Sequence, residues 1–220
     1  MARREIDPAD ALAIGCDVAR FGDDFTSIVV RRGNCALHYE THNGWSTAET
    51  AGRLKQLCSE YARRTEPPNL FRQREDPVSI PVLIDDDGVG GGVTDQAGGF
   101  AFVPVSGASR AIEPNGYPNR RSELWFTVAE RAAEGRLDLS RLPPEALRAL
   151  QRQLMGPTWR LDSQGRRTVE AKEETKRRIG RSPDDADALN LAFAATPRVE
   201  TDTAFYREYW GLDEEDWGSG

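Results

Sequence analysis

Four aspartates occupy positions where a carboxylate can do chemistry. Asp17 closes the apolar run ALAIGCDV (11–18), and Asp85 closes SIPVLID (79–85). An acid after such a run is desolvated on one side, and like charges gathered there repel unless a cation neutralises them. Asp184 and Asp187 are three residues apart in SPDDADALNLAFAA (182–195), on one face of a helix and close to its N-terminus. The helix dipole favours negative charge at that end. If this helix crosses the sheet edge that carries Asp17 and Asp85, four carboxylates converge. An all-oxygen set of that kind suits Mg²⁺ or Mn²⁺ rather than zinc. Two such ions about 4 Å apart would activate water and stabilise the leaving oxygen of a phosphodiester. Taken singly, each acid has a plainer reading, because strand-end aspartates ordinarily form turns and SPDD is ordinary helix-capping sequence. Asp86 and Asp87, next to Asp85, are expected to be loop acids. The set is more specific than any member.

The elements that must position these acids can be read from periodicity. ALAIGCDV, FTSIVV (25–30) and CALHYETH (35–42) read as three antiparallel strands, with RRGN (31–34) as a hairpin turn. A helical stripe follows at Ala48, Ala51, Leu54, Leu57, Cys58 and Tyr61, opened by a capping box at Ser46 and Glu49. Residues 65–77 read as a loop, 79–85 as a buried strand, GVGGGV as a turn into a short helix, and FAFVPVSG (100–107) as another strand. Helices are expected over about 120–134 and over 143–154, the second started by its prolines. TWRLDSQGRRTVEA (158–171) reads as a hairpin turning at Ser163–Gly165, and 182–195 as a last helix with Ser182 as N-cap, ended by Pro197. The order predicts an α/β fold, a mixed sheet with helices on its faces and a β-hairpin insertion.

Composition sets the outer bounds. With 220 residues, 38% hydrophobic and 30% charged, the chain fits one soluble domain plus tails. No segment approaches a membrane span and no signal-peptide core is visible, so a cytoplasmic location and no membrane partner are expected. Cys16, Cys35 and Cys58 are isolated and odd in number, and read as small buried residues rather than disulfide or metal ligands. His38 and His42 are too few for a zinc site. The glycine run 88–93 has no GxxxxGK[ST] motif anywhere to support nucleotide binding. Net charge is −7, but six acids against Arg207 sit in 201–220, while 110–182 hold sixteen Lys/Arg against ten Asp/Glu. A basic half beside clustered carboxylates is what a metal-using nuclease needs.

Four blocks resemble a known family. DVARFGDDFTSIVV, with Asp17 and the second acid Asp24, is similar to the first-strand signature of the nuclease domain of tailed-phage large terminase subunits. IDDDGVGGGV, NRRSELWFTVAERAAEGRLDL (119–139) and EAKEETKRRIGRSPDDADALNLAF (170–193) resemble its later blocks, in the same order, over roughly 11–195. The resemblance implies a ribonuclease H-like endonuclease cutting double-stranded viral DNA during packaging in the host cytoplasm. Asp17, Asp85 and an acid of the closing block would hold two Mg²⁺ or Mn²⁺ ions. The closing block also looks like that of Holliday-junction resolvases, which favours both Asp184 and Asp187. Lys172 would lie near the active site and the 158–171 hairpin near DNA.

A complete large terminase carries an ATPase motor, and no Walker A motif is present in these residues. The resemblance therefore implies an isolated nuclease domain, a shortened chain, or a protein that has lost its motor. The residues offered for phosphate contact are Arg160, Arg166, Arg167, Lys172, Arg177 and Arg178. The expected organisation is a linker over 1–10, a nuclease domain over 11–198, and an acidic aromatic tail over 199–220. That tail would dock a protein partner such as the portal, and the small terminase subunit is a further candidate. Competing functions are a resolvase-like nuclease on branched DNA and a non-catalytic packaging docking module.

Overall fold

The computed structural model describes residues 6–7, 10–19, 24–65 and 80–195. The tail over 199–220 and Pro197 lie outside them, as do most of the linker and of the loop after residue 65. A five-stranded sheet is formed by β1 (Leu12–Asp17), β2 (Thr26–Arg32), β3 (Cys35–His42), β4 (Val82–Asp85) and β5 (Phe102–Val105), in the order β3-β2-β1-β4-β5. β2 is antiparallel to β1 and β3, whereas β1, β4 and β5 run parallel, so the sheet is mixed as expected. Among the described residues no helix is long and apolar enough to cross a membrane.

Period-2 alternation assigns the two faces. Leu12, Ile14 and Cys16 of β1, with Ile28, Val30, Val82 and Ile84, pack under Leu54, Leu57 and Cys58 of α1 (Thr47–Thr65). Residues of the other register, Ala13, Val29 and Leu83, meet helices on the opposite face. These are α3 (Arg120–Ala133), α4 (Pro144–Leu154) and α6 (Asp184–Ala192); the short α2 (Gly91–Thr94) follows the turn after β4. A hairpin of β6 (Trp159–Leu161) and β7 (Arg167–Val169) turns where Gly165 takes φ 76°, close to the expected place. The capping box forms: Ser46 Oγ accepts the Glu49 amide at 3.2 Å, and Glu49 accepts the Ser46 amide at 2.8 Å.

Two local expectations are corrected. Lys172–Ile179 form a further helix, α5, that the sequence reading passed over. Its residues KEETKRRI carry no apolar stripe, so periodicity is blind to it. Its signals are instead acids in the first turn, bases in the last, and Gly180 at φ 81° as a left-handed cap. Ser182 does not cap α6, which starts at Asp184. The cap comes from another helix: Gln153 Oε1 of α4 accepts the amides of Asp185 and Ala186 at 2.9 and 3.2 Å.

One electrostatic clamp ties α1 to β3. Glu40 accepts a bidentate pair of hydrogen bonds from Arg53, both 2.8 Å, and a third from His38 Nε2 at 2.8 Å. Burial pushes the Glu40 carboxyl up, but these donors outweigh it and hold the pKa at about 2 against an ordinary 4.5. The clamp's contribution is therefore present above pH 4.5 and is lost as the pH falls toward 2. Glu40→Gln is expected to cost about 1–2 kcal/mol at pH 7. The gap between the two melting curves should close as the pH drops from 4.5 toward 2. An equal gap at both ends would contradict this clamp.

Candidate metal centre

The register of β1 and β4 brings the first two acids together. Gly15 pairs with Leu83 and Cys16 with Ile84, so Asp17 and Asp85 end neighbouring parallel strands, one residue beyond the last registered pair. Asp17 shares its face with Gly15. A Cβ on Gly15 would lie 2.0 Å from the Ala188 carbonyl oxygen and 2.4 Å from the Ala192 nitrogen, so α6 rests its backbone directly on β1. That close approach carries Asp184 and Asp187 to the strand ends. Asp17, Asp85, Asp184 and Asp187 line one open cleft of about 730 Å³.

At the centre of the acids stands the ammonium of Lys172. Its Nζ is 2.8 Å from Asp17, 3.2 Å from Asp184 and 3.3 Å from Asp187. Lys172 is the first residue of α5, which is how a helix with no apolar stripe delivers the central cation. Burial alone would lower the Lys172 pKa, but Asp17, Asp187 and Asp184 outweigh it and hold the pKa well above the ordinary lysine value. Burial pushes the Asp17 carboxyl well above the usual carboxylate range; Lys172 pulls it down, while Asp187, Asp184 and Asp85 add to the rise. Asp85 is raised too, chiefly by burial.

Asp184, Asp85 and Asp187 each have one oxygen held by a further donor. Asp184 Oδ2 accepts the Phe25 amide at 3.3 Å, and Asp85 Oδ1 accepts the Asp87 amide at 3.1 Å. Asp187 Oδ1 accepts from Arg121 Nη1 at 3.0 Å and from Trp125 Nε1 at 3.1 Å. Arg121 and Trp125 are site residues that sequence reasoning missed. Their i, i+4 spacing just after the Asn119 cap was the available signal, since it puts both on one face of α3. Asp185, between the two site acids, belongs instead to the core. It is fully buried and accepts from Ser27 Oγ at 2.6 Å and Gln153 Nε2 at 2.5 Å.

The remaining candidates stand around the rim. Asp24 pairs with Lys176 at 2.6 Å and lines the cleft without joining the Lys172 cluster. Asp87, expected as a loop acid, also lines the cleft and holds Ser106 Oγ at 2.5 Å and the Ala108 amide at 3.2 Å. Of the basic residues, Arg160, Arg177 and Arg178 are exposed. Arg166 is paired with Asp162 at 2.8 Å, and Arg178 with Glu170. Arg167 is paired with Glu130 at 2.6 Å, its guanidinium 4.7 and 4.6 Å from the ring centroids of Tyr117 and Phe126. Trp159 meets Phe126 edge-on at 5.3 Å, which docks the hairpin on α3.

The donor set fits a hard divalent cation. Three carboxylate oxygens from three residues already surround one positive charge, and among the described residues no histidine or cysteine lines the cleft with them. Among the described residues no three such side chains are yet in ligand positions. The acids stand at 2.8–3.3 Å from the Lys172 ammonium, hydrogen-bond distances that are longer than the about 2.1 Å of a Mg–O contact.

The fold is that of the ribonuclease H-like nuclease domains of phage large terminase subunits. The chain is similar to the nuclease domain of the large terminase subunit gp2 of bacterial virus Sf6, solved with manganese and β-thujaplicinol. Identity is 17%, with 86% of this chain and 90% of that one covered and a TM-score of 0.70. It is also similar to the large terminase nuclease of thermophilic phage G20c with bound magnesium, at 18% identity, 85% and 82% coverage and a TM-score of 0.56. The large terminase nuclease domain of Thermus phage P74-26 gives 16% identity, 86% and 82% coverage and a TM-score of 0.53. No protein-family model and no curated protein matches the chain.

Proposed function

We propose that this chain is a divalent-cation-dependent endonuclease that cuts double-stranded viral DNA during genome packaging in the host cytoplasm. The observation that carries the reading is the Lys172 ammonium within 2.8–3.3 Å of three carboxylates. Negative charge has been gathered round a point, and a cation fills it. The domains of similar fold lend support, since they are nucleases by name and two were solved with manganese or magnesium.

Asp17, Asp184 and Asp187 would hold the cation, with Asp85 at the neighbouring strand end completing a set able to serve two ions. Bound Mg²⁺ or Mn²⁺ would supply a Lewis acid that makes water nucleophilic and stabilises the leaving oxygen. Without it the acids repel a phosphate, so the site is closed to DNA. Lys172 sits on a flexible stem and is about one-third exposed, so it can leave the centre and remain beside the scissile phosphate as a point charge. Arg160 and Arg177, exposed, are the first phosphate contacts. Arg166, Arg167 and Arg178 would have to exchange a carboxylate partner for phosphate. Such contacts read no sequence, so cutting is expected to be sequence-independent. A motor, the portal and the small terminase subunit are the partners this reading implies.

Digestion of supercoiled plasmid tests it. Nicked and linear products are expected with Mg²⁺ or Mn²⁺, and none with excess chelator. Plasmid left intact under every metal condition would overturn the reading in favour of a docking module.

A further inference from the structure

We infer that Arg121 and Trp125 are positioning residues that fix Asp187 for cation binding; the inference rests on the metal-dependent reading above. Asp187 differs from the other acids in how it is held. Asp184 has a backbone amide on its second oxygen, whereas Asp187 Oδ1 takes two side-chain donors from α3, Arg121 Nη1 at 3.0 Å and Trp125 Nε1 at 3.1 Å. With Oδ1 occupied twice, the free oxygen Oδ2 is turned to the centre, 3.3 Å from Lys172 Nζ. A carboxylate held this way cannot rotate away from the centre without losing both bonds.

The guanidinium is committed to this one task. Its Nε and Nη2 are buried and have no hydrogen-bond partner among the described residues, which leaves Asp187 as the hydrogen-bond acceptor that offsets its desolvation. Trp125 serves twice, donating its Nε1–H to Asp187 and lying under the guanidinium with 5.6 Å from Cζ to the ring centroid. The arrangement recurs wherever a ligand's second atom is fixed by the chain, and loss of such a partner typically costs about 10- to 100-fold in metal affinity.

Electrostatics and positioning make opposite forecasts here, which allows a sharp test. Removing the Arg121 charge should strengthen cation binding if only field matters, and weaken it if positioning dominates. Mn²⁺ binding is followed by the electron paramagnetic resonance signal of the unbound ion, for wild type, Asp17→Asn, Arg121→Gln, Arg121→Lys, Trp125→Phe and Asp187→Asn. The half-saturating Mn²⁺ concentration is expected to rise about 10-fold or more in Arg121→Gln and in Trp125→Phe. Metal-free melting temperatures should stay near wild type, and Arg121→Lys, which can still donate one bond, should recover part of the loss. In the Asp187→Asn background, Trp125→Phe should add nothing, because the carboxylate it positions is already gone. Trp125→Phe changes no charge and keeps an aromatic ring while removing the Nε1–H donor, so it decides the matter even if the arginine variants fail to fold. Tighter or unchanged Mn²⁺ binding in Arg121→Gln and Trp125→Phe, with Asp17→Asn still weakened, would overturn the positioning role alone. Absence of Mn²⁺ binding by the wild type would overturn this inference together with the metal-dependent reading.

Discussion

Asp17→Asn is expected to remove plasmid cleavage, by about 10³-fold or more, which is about 4 kcal/mol of transition-state stabilisation, while leaving the metal-free protein at least as stable as wild type. The reasoning follows from where Asp17 sits. It is 3% exposed at the end of the central strand, with Asp184 and Asp187 sharing the same ammonium. As a cation ligand its charge is indispensable. As a buried charge among like charges it is a burden to the fold, and the amide removes that burden at constant volume. The two effects therefore separate in one variant. Mn²⁺ should raise the melting temperature of the wild type by linkage and that of Asp17→Asn much less. Cleavage at wild-type rate by this variant would contradict the assignment of Asp17. A melting temperature well below wild type without metal would contradict the account of its burial.

The second large effect belongs to Gly15. Gly15→Ala places a methyl 2.0 Å from the Ala188 carbonyl oxygen and 2.4 Å from the Ala192 nitrogen, both backbone atoms of α6. No rotamer relieves the clash, so α6 must lift off the sheet or β1 must move. Overpacking of this severity is expected to cost about 3 kcal/mol or more, on the order of 10 °C in melting temperature for a domain of this size. Because α6 carries Asp184 and Asp187, whatever folded protein remains should bind Mn²⁺ poorly. Gly52→Ala in α1 is the control: nothing lies within 4 Å of its Cβ, and the same substitution there should stabilise by about 0.5–1 kcal/mol. Thermal denaturation of both variants checks the pair. A Gly15→Ala protein as stable as wild type would mean that α6 does not rest on β1 in this way.

Much of this was legible in the chain because two periodicities report burial. Apolar runs ending in an acid located Asp17 and Asp85, and the three-residue spacing located Asp184 and Asp187. The geometry between elements was not legible. Nothing local marks Gly15 as the place where a helix backbone touches the sheet, since its φ is unexceptional and only the partner makes it necessary. Lys172 was named near the site, yet its place at the centre depends on α5, which periodicity could not see. Arg121 and Trp125 were passed over because their partner lies more than sixty residues away. Asp185 shows how a local role can hide a second one. It is an acid of the first turn of α6, and long-range packing also makes it the core anchor for Ser27 and Gln153. A capping role also moved from Ser182 to Gln153, because long-range packing supplied a better acceptor to α6.

The most direct measurement is an anomalous-difference map from crystals of the wild-type protein soaked in Mn²⁺. The account predicts a peak bounded by carboxylate oxygens of Asp17, Asp184 and Asp187, with the Lys172 ammonium displaced from the position it holds between them. A peak elsewhere, or Lys172 still bridging the three acids at saturating Mn²⁺, would contradict it.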